Sequence, residues 1–175
     1  MKSFCWMLIS VTIFFSPQVA NAQGASATDI INALDPQTKK IPATRSFKRG
    51  IQIQQGTENQ TPPTINLYIN FDFDSAQLTN DGQISLENLG KALIDPRLEK
   101  HHFLIAGHTD AKGKDDYNQH LSEERAQSVI DYLLSQFHID GSRLASKGFG
   151  SSQLLDSAHP EDGINRRVQI TTINE

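Results

Sequence analysis

The chain has 175 residues, 37% of them apolar and 21% charged, and a formal net charge of −4. This ordinary globular composition, at a length that suits one domain or two, excludes collagen-like, coiled-coil and wholly disordered chains. The acidic balance argues against a general nucleic-acid binder, and one cysteine, Cys5, can make neither an internal disulfide nor a cysteine-rich zinc site.

Residues 1–22 read as a secretory signal peptide. Lys2 supplies the positive start, Ser3 to Phe15 is an apolar run, Pro17 breaks it, and Ala20-Asn21-Ala22 puts small residues at the −3 and −1 positions. The run is shorter than the roughly 20 residues that a membrane helix needs. Cys5 lies at the front of the run, not at the cleavage position that lipidation requires. The expected cut, between Ala22 and Gln23, leaves 153 residues without Cys, Trp or Met. It removes Lys2 and shifts the net charge to −5. A cysteine-free product is compatible with an oxidising, exported compartment.

Residues 23–63 are polar and punctuated. Thr28 is the expected cap of a short helix to about Leu34, with Ile30, Ile31 and Leu34 on one side. Ser46 to Gln54 ends in alternation that predicts a short edge strand, and Gln55 to Pro63 has the composition of a linker.

From Thr64 the pattern tightens. Ile65 to Phe73 alternates apolar and polar residues, a strand with one buried face. Thr79 caps a helix to about Ile94, carrying Leu86, Leu89 and Leu93, and Pro96 ends it. His102 to Ala106 is the second strand, stopped by Gly107, and a loop runs from His108 to about His120. Leu121, Ala126, Val129, Ile130, Leu133, Leu134 and Phe137 mark a long helix. Arg143 to Phe149 is a third strand and Asn165 to Thr172 a fourth. The order βαβαββ predicts a two-layer α/β sandwich, with helices on one face of a mixed four-stranded sheet.

Four motifs can carry chemistry. Asp72 and Asp74 end the first strand, as in aspartyl-nucleophile phosphatases that use magnesium. Without a convincing later acidic pair, the simpler reading is a solvent-side residue and a turn residue. Gly107-His108-Thr109-Asp110 lies at the carboxyl end of a strand, where α/β sheets bind ligands; Asp110 is either a ligand group or the residue holding an Asx-turn. His108 reads as packed or solvated rather than as a catalytic base, for want of a nucleophile nearby. In Ser122-Glu123-Glu124-Arg125, Ser122 is the expected N-cap of the long helix and Arg125 opposes its dipole. Arg125 then either pairs with an acid or meets an anionic ligand at the helix N-terminus. An acid and a base facing one space suit a zwitterion: the carboxylate takes an ammonium, the guanidinium a carboxylate. Finally, Asn165-Arg166-Arg167-Val168 is either a charged strand edge or a further anion contact.

Phe71-x-Phe73-Asp74-Ser75, Gly107-His108-Thr109-Asp110-x-x-Gly113, Tyr117-Asn118-x-x-Leu121-Ser122-x-x-Arg125-Ala126, Arg143-Leu144, Gly148-x-Gly150 and Asn165-Arg166-Arg167-Val168 occur in one order. Together they resemble the OmpA-like C-terminal domain family, also found in the peptidoglycan-associated lipoprotein and MotB. The likeness covers about Thr64 to Thr172 and departs from the family pattern at Gly150 to Leu154. It implies a non-enzymatic domain, without cofactor or metal, that binds peptidoglycan non-covalently at the diaminopimelate of the stem peptide. Asp110 would take the terminal ammonium and Arg125 the terminal carboxylate, with Thr109, Asn118 and Arg166 lining the pocket. The expected organisation is a signal peptide (1–22), a polar region and linker (23–63) and the OmpA-like domain (64–173), placed in the periplasm, peripheral to the outer membrane. Two alternatives stand beside it. One is a metal-dependent phosphatase or hydrolase using Asp72, Asp74 and Asp110. The other is an envelope protein that acts on a protein partner through residues 23–63.

Overall fold

The computed structural model describes residues 21–22, 24–38 and 61–173. The predicted edge strand and most of the predicted linker and signal peptide lie outside them. A two-residue strand β1 (Asn21–Ala22) precedes α1 (Ala27–Leu34), β2 (Thr64–Leu67), α2 (Asn80–Leu93), β3 (His102–His108), α3 (Asp115–Gln136), β4 (Leu144–Gly148) and β5 (Arg167–Ile173). Single 3-10 turns, Gly141–Arg143 and Gly163–Asn165, lead into β4 and β5.

The sheet order is β1-β2-β5-β3-β4. β5 runs antiparallel between β2 and β3, while β3 and β4 are parallel, as are β1 and β2. Apart from β1, this is the mixed four-stranded sheet that the sequence predicts. The register sets Ile105 beside Ile170, and Ile170 beside Ile65, on the face toward the helices. One core joins Ile65, Leu67, Phe103, Ile105, Val168 and Ile170 of the sheet to Leu86, Leu89 and Leu93 of α2 and Ala126, Val129 and Leu133 of α3. α1 adds Ile30, Ile31 and Leu34, and the Thr172 hydroxyl donates to the Leu34 carbonyl at 2.8 Å. Burying each such side chain contributes roughly 1.5–3 kcal/mol. The polar N-terminal region therefore supplies part of the domain's core.

Helix starts follow local chemistry, with two differences from expectation. Thr79 caps α2 as predicted, its hydroxyl accepting from the Gly82 N–H. α1 is capped by Ser26 rather than Thr28, because Ser26 forms a reciprocal capping box with Asp29. α3 begins at Asp115, seven residues before the expected Ser122. Asp115 and Asp116 in its first turn complement the positive end of the helix, so the predicted polar loop is helical from there on.

β3 runs through Gly107 to His108 instead of stopping before the glycine. Glycine is required there by packing: a Cβ on Gly107 would lie 2.1 Å from the Ser122 carbonyl oxygen. The missing side chain lets α3 lie directly on the strand's backbone. That contact fixes Arg125, one turn further on, beside the carboxyl edge of the sheet.

Candidate ligand-binding site

Three segments meet at that edge: the residues after β2, those after β3, and the turn before β5. The loop from Phe149 to Asn165 is laced over the end of β3. The Phe149 N–H donates to the Gly107 carbonyl, the Thr109 N–H to Gly150, and the Ala111 N–H to Pro160. Asn165, fully buried, holds this loop in shape. Its Oδ1 accepts from the Leu155 and Asp156 N–H groups and its Nδ2 donates to carbonyls, including those of His159 and Pro160.

Asp110 is buried, its side chain only 9% exposed, and both carboxylate oxygens are engaged. Oδ1 accepts from the Lys112 N–H at 3.1 Å, which is the Asx-turn reading of this residue. Oδ2 pairs with the Arg166 guanidinium at 2.5 Å. Asn118, also buried, donates to the carbonyls of Asp110 and Lys112, so it braces the loop carrying Asp110. Thr109 is buried, and its hydroxyl has no hydrogen-bond partner among the described residues.

Arg125 sits in the third turn of α3, because the helix starts early. It is no longer placed against a helix N-terminus, and that part of the sequence reading is corrected. Its Nε donates to the Ser75 carbonyl at 2.9 Å and its guanidinium lies 5.0 Å from the centre of the Phe71 ring. No carboxylate lies within ion-pair distance of it among the described residues. Burial lowers its pKa, and the nearby charge of Arg166 lowers it further.

Arg125 and Arg166 together line a cleft of about 670 Å³, with Tyr68, Asn70 and Phe71 from the end of β2 and Asp162, Gly163 and Ile164 from the turn before β5. Arg166 is half-exposed, whereas its neighbour Arg167 is buried. Arg167 donates to the Asn165 and Gln153 carbonyls on the other face of the sheet. The motif Asn165-Arg166-Arg167 thus divides into a loop organiser, a cleft residue and a structural arginine. Of the five residues implied by resemblance, the structure brings Asp110, Arg125 and Arg166 to one place. Thr109 and Asn118 stand behind them.

Tyr68, Asn70 and Asp162 were not anticipated in this role. One usable signal was present: Asp162-Gly163 is a turn dipeptide three residues before Arg166. A Cβ on Gly163 would lie 2.8 Å from an Arg166 guanidinium nitrogen, so the glycine makes room for that side chain.

Other candidates separate from the cleft. His108 is buried and stacks on Phe149 at 5.3 Å between ring centres. Burial first, then the charge of Arg167, pushes its pKa down to about 4, which keeps it neutral at physiological pH. This is the packed reading of His108. Asp74 accepts from the Tyr117 hydroxyl, and Asp72 is exposed. Among the described residues no group of three His, Cys, Asp or Glu side chains can hold a metal ion, so Asp72, Asp74 and Asp110 do not form the constellation that the phosphatase alternative requires.

With this geometry in place the comparison with known proteins is decisive. The family model for OmpA matches residues 70–167, more than half of the chain. The chain belongs to the OmpA family. Among curated OmpA-family relatives, it is 35% identical over 107 residues to outer membrane porin F of Pseudomonas aeruginosa, covering 60% of this chain and 30% of the relative. It is 38% identical over 107 residues to outer membrane protein A of Escherichia coli O157:H7, covering 61% and 30%. The chain thus spans about a third of the length of these relatives. The solved OmpA-like domain of FopA1 from Francisella tularensis superposes with a TM-score of 0.53 at 29% identity, covering 63% of this chain and 77% of that one. The matched region contains the end of β2, β3, α3 and the turn before β5. It includes every residue of the cleft except Tyr68 and Ile69.

Proposed function

We propose that this is an exported, non-enzymatic envelope protein that binds peptidoglycan non-covalently, through the diaminopimelate of the stem peptide. Cleavage between Ala22 and Gln23 releases it into the periplasm, where it works at or near the outer membrane. The relatives, named as outer-membrane proteins, support that location. So does the signal-peptide pattern of the first 22 residues.

The observation that carries the reading is the unequal pairing of three charges. Asp110 holds Arg166, while Arg125, which lines the cleft beside Arg166, has no ion-pair partner among the described residues. The cluster has one positive charge in excess and two cations that repel. A zwitterion relieves the repulsion by exchanging partners. Its ammonium takes the Asp110 carboxylate from Arg166, and its carboxylate takes the two guanidiniums. No net charge changes, and every ion ends paired. The end of a diaminopimelate side chain carries an ammonium and a carboxylate on one carbon, which matches this need. Lysine in the same place carries the ammonium alone.

Each charge-assisted hydrogen bond is worth roughly 1.5–3 kcal/mol. Association entropy and the loss of the Asp110–Arg166 pair offset much of that gain, so a single site on a soluble stem peptide binds at about micromolar to millimolar strength. The test is co-sedimentation with insoluble sacculi. Wild type should sediment, and Asp110→Asn and Arg125→Ala should each lose about tenfold or more in binding, since about 1.4 kcal/mol is a factor of ten. Asparagine keeps the oxygen that accepts from the Lys112 N–H, so the Asp110 variant tests the charge rather than the turn. Unaltered sedimentation of both variants would remove the assignment.

A further inference from the structure

One large apolar side chain beside the cleft has no structural task. Phe73 is 100% exposed, the most exposed large apolar residue of the described chain. It does not sit on a loose loop. The Phe71–Leu78 bridge closes the base of its turn, and the Asp72 N–H donates to the Gln77 carbonyl at 2.9 Å. The Ser75 hydroxyl accepts from the Gln77 N–H. Asp74, next to Phe73, holds a left-handed backbone with φ of 53°, uncommon outside glycine, and is tied to Tyr117. The Ser75 carbonyl receives Arg125 itself. A turn braced at four points thus holds a bare phenyl ring in water, on the same backbone that positions the ligand-binding arginine. Packing elsewhere does not explain that placement.

We propose that Phe73 is a sugar-binding platform that receives the apolar face of an amino sugar of the glycan strand, while the cleft holds the stem peptide attached to that sugar. This inference rests on the peptidoglycan reading above and extends it from the peptide to the glycan. Reach is the first argument. Phe71 lines the cleft, and two residues of chain put Phe73 at most about 7 Å further along. A stem peptide with diaminopimelate at its third residue spans roughly 10 Å from the sugar to that residue. These spans are comparable, so the sugar of a bound stem can reach the ring.

Chemistry is the second argument. The negative face of an aromatic ring attracts the polarised C–H groups on one side of a pyranose. The hydroxyl and acetamido N–H groups around the sugar's rim need acceptors. Asp72 and Asp74 flank Phe73 in the chain, and the Asp72 carboxylate is exposed, with no hydrogen-bond partner among the described residues. The same two acids disfavour a membrane surface, because anionic headgroups attract basic rather than acidic segments.

The experiment uses two soluble probes from one diaminopimelate-type wall: the disaccharide muropeptide, and the same stem peptide freed from its sugar by an amidase. Phe73→Ala should weaken binding of the muropeptide about two- to twelvefold, the range for an aromatic contact of about 0.5–1.5 kcal/mol. It should leave the free peptide unchanged. Phe73→Trp should retain muropeptide binding, and circular dichroism should show both variants folded. Equal muropeptide binding by wild type and Phe73→Ala would overturn the sugar contact, and an equal loss on both probes would overturn it in favour of a peptide contact. Failure of the underlying reading looks different: Asp110→Asn and Arg125→Ala would then bind both probes as wild type does.

Discussion

Two arginines lie over aromatic rings at opposite ends of the sheet, and they spend their hydrogen bonds differently. At the start of β3, Arg143 lies 5.6 Å from the centre of Phe103 and donates three bonds, to the carbonyls of His101, Leu93 and Leu98. It satisfies the end of α2 and ties it to the sheet. At the far end, Arg125 lies over Phe71, donates once to Ser75, and keeps the rest of its guanidinium toward a cleft. Burial lowers the pKa of both. The difference lies in what remains unpaired. An arginine that is held by bonds to several backbone carbonyls is a staple, and one that makes a single such bond and turns its other donors to an open cleft is available to a ligand. Arg166 and Arg167 repeat the contrast within two residues of sequence.

The comparison can be broken or sharpened by substitution and by pH. The largest expected effect is at the packed end of β3. His108 binds a proton below pH about 6.5 in the unfolded chain, but only below about 4 when folded. Between these values the unfolded state holds more protons. Stability is therefore fully present above pH 6.5 and falls as the pH drops to 4, by about 3 kcal/mol. Urea titrations across this range should show the decline, and His108→Phe, which keeps a ring against Phe149, should lose the part of the slope due to this group. A pH-independent difference between the two proteins would mean that His108 titrates alike in the folded and unfolded chain.

Next comes the staple. Arg143→Ala strands three carbonyls and should cost about 2–3 kcal/mol of folding stability by denaturant titration, while sacculus binding per folded molecule stays at the wild-type level. Arg125→Ala should do the reverse: a loss of stability under about 1 kcal/mol beside a loss of binding of about tenfold or more. If the two variants shared one profile, the distinction between staple and ligand group would fail. The smallest effect belongs to Thr109. Its buried hydroxyl has no partner among the described residues and does not line the cleft, so Thr109→Val should change sacculus binding less than about twofold and leave stability equal or slightly higher. A tenfold loss would place that hydroxyl on the ligand.

Much of this fold was legible in the sequence because the signals were local. Alternation gave β2, which ends at Leu67 rather than running on to Phe73, and β5; an apolar run gave β3, Thr79 gave the start of α2, and Leu121 to Leu133 gave the body of α3. Ser122 has the chemistry of a cap, yet α3 begins seven residues before it. In the structure its hydroxyl donates to the Gln119 carbonyl and accepts the Gly150 N–H, a tertiary contact 28 residues away. The integration of α1 was illegible for a similar reason: Ile30, Ile31 and Leu34 show an amphipathic helix but not where it docks. One consequence is practical. Deleting residues 23–63 removes core side chains together with any partner-binding segment, so that deletion cannot isolate the role of the region. Within the site, the motif singled out Asp110 and Arg125, whereas the pairing of Asp110 with Arg166 joins residues 56 apart and needed the fold.

The central claim is that one cleft reads a zwitterion through Asp110 and Arg125. It is tested most directly by binding wild type and Arg125→Ala to two kinds of sacculi, diaminopimelate-type and lysine-type, at matched ionic strength. Wild type should prefer the diaminopimelate wall by about tenfold or more, the value of the one charge-assisted contact that lysine cannot make. Arg125→Ala should bind both walls weakly and alike, since the group that reads the carboxylate is gone, so the ligand and protein changes form a cycle with a coupling of that size. Equal binding of wild type to both walls would contradict the account.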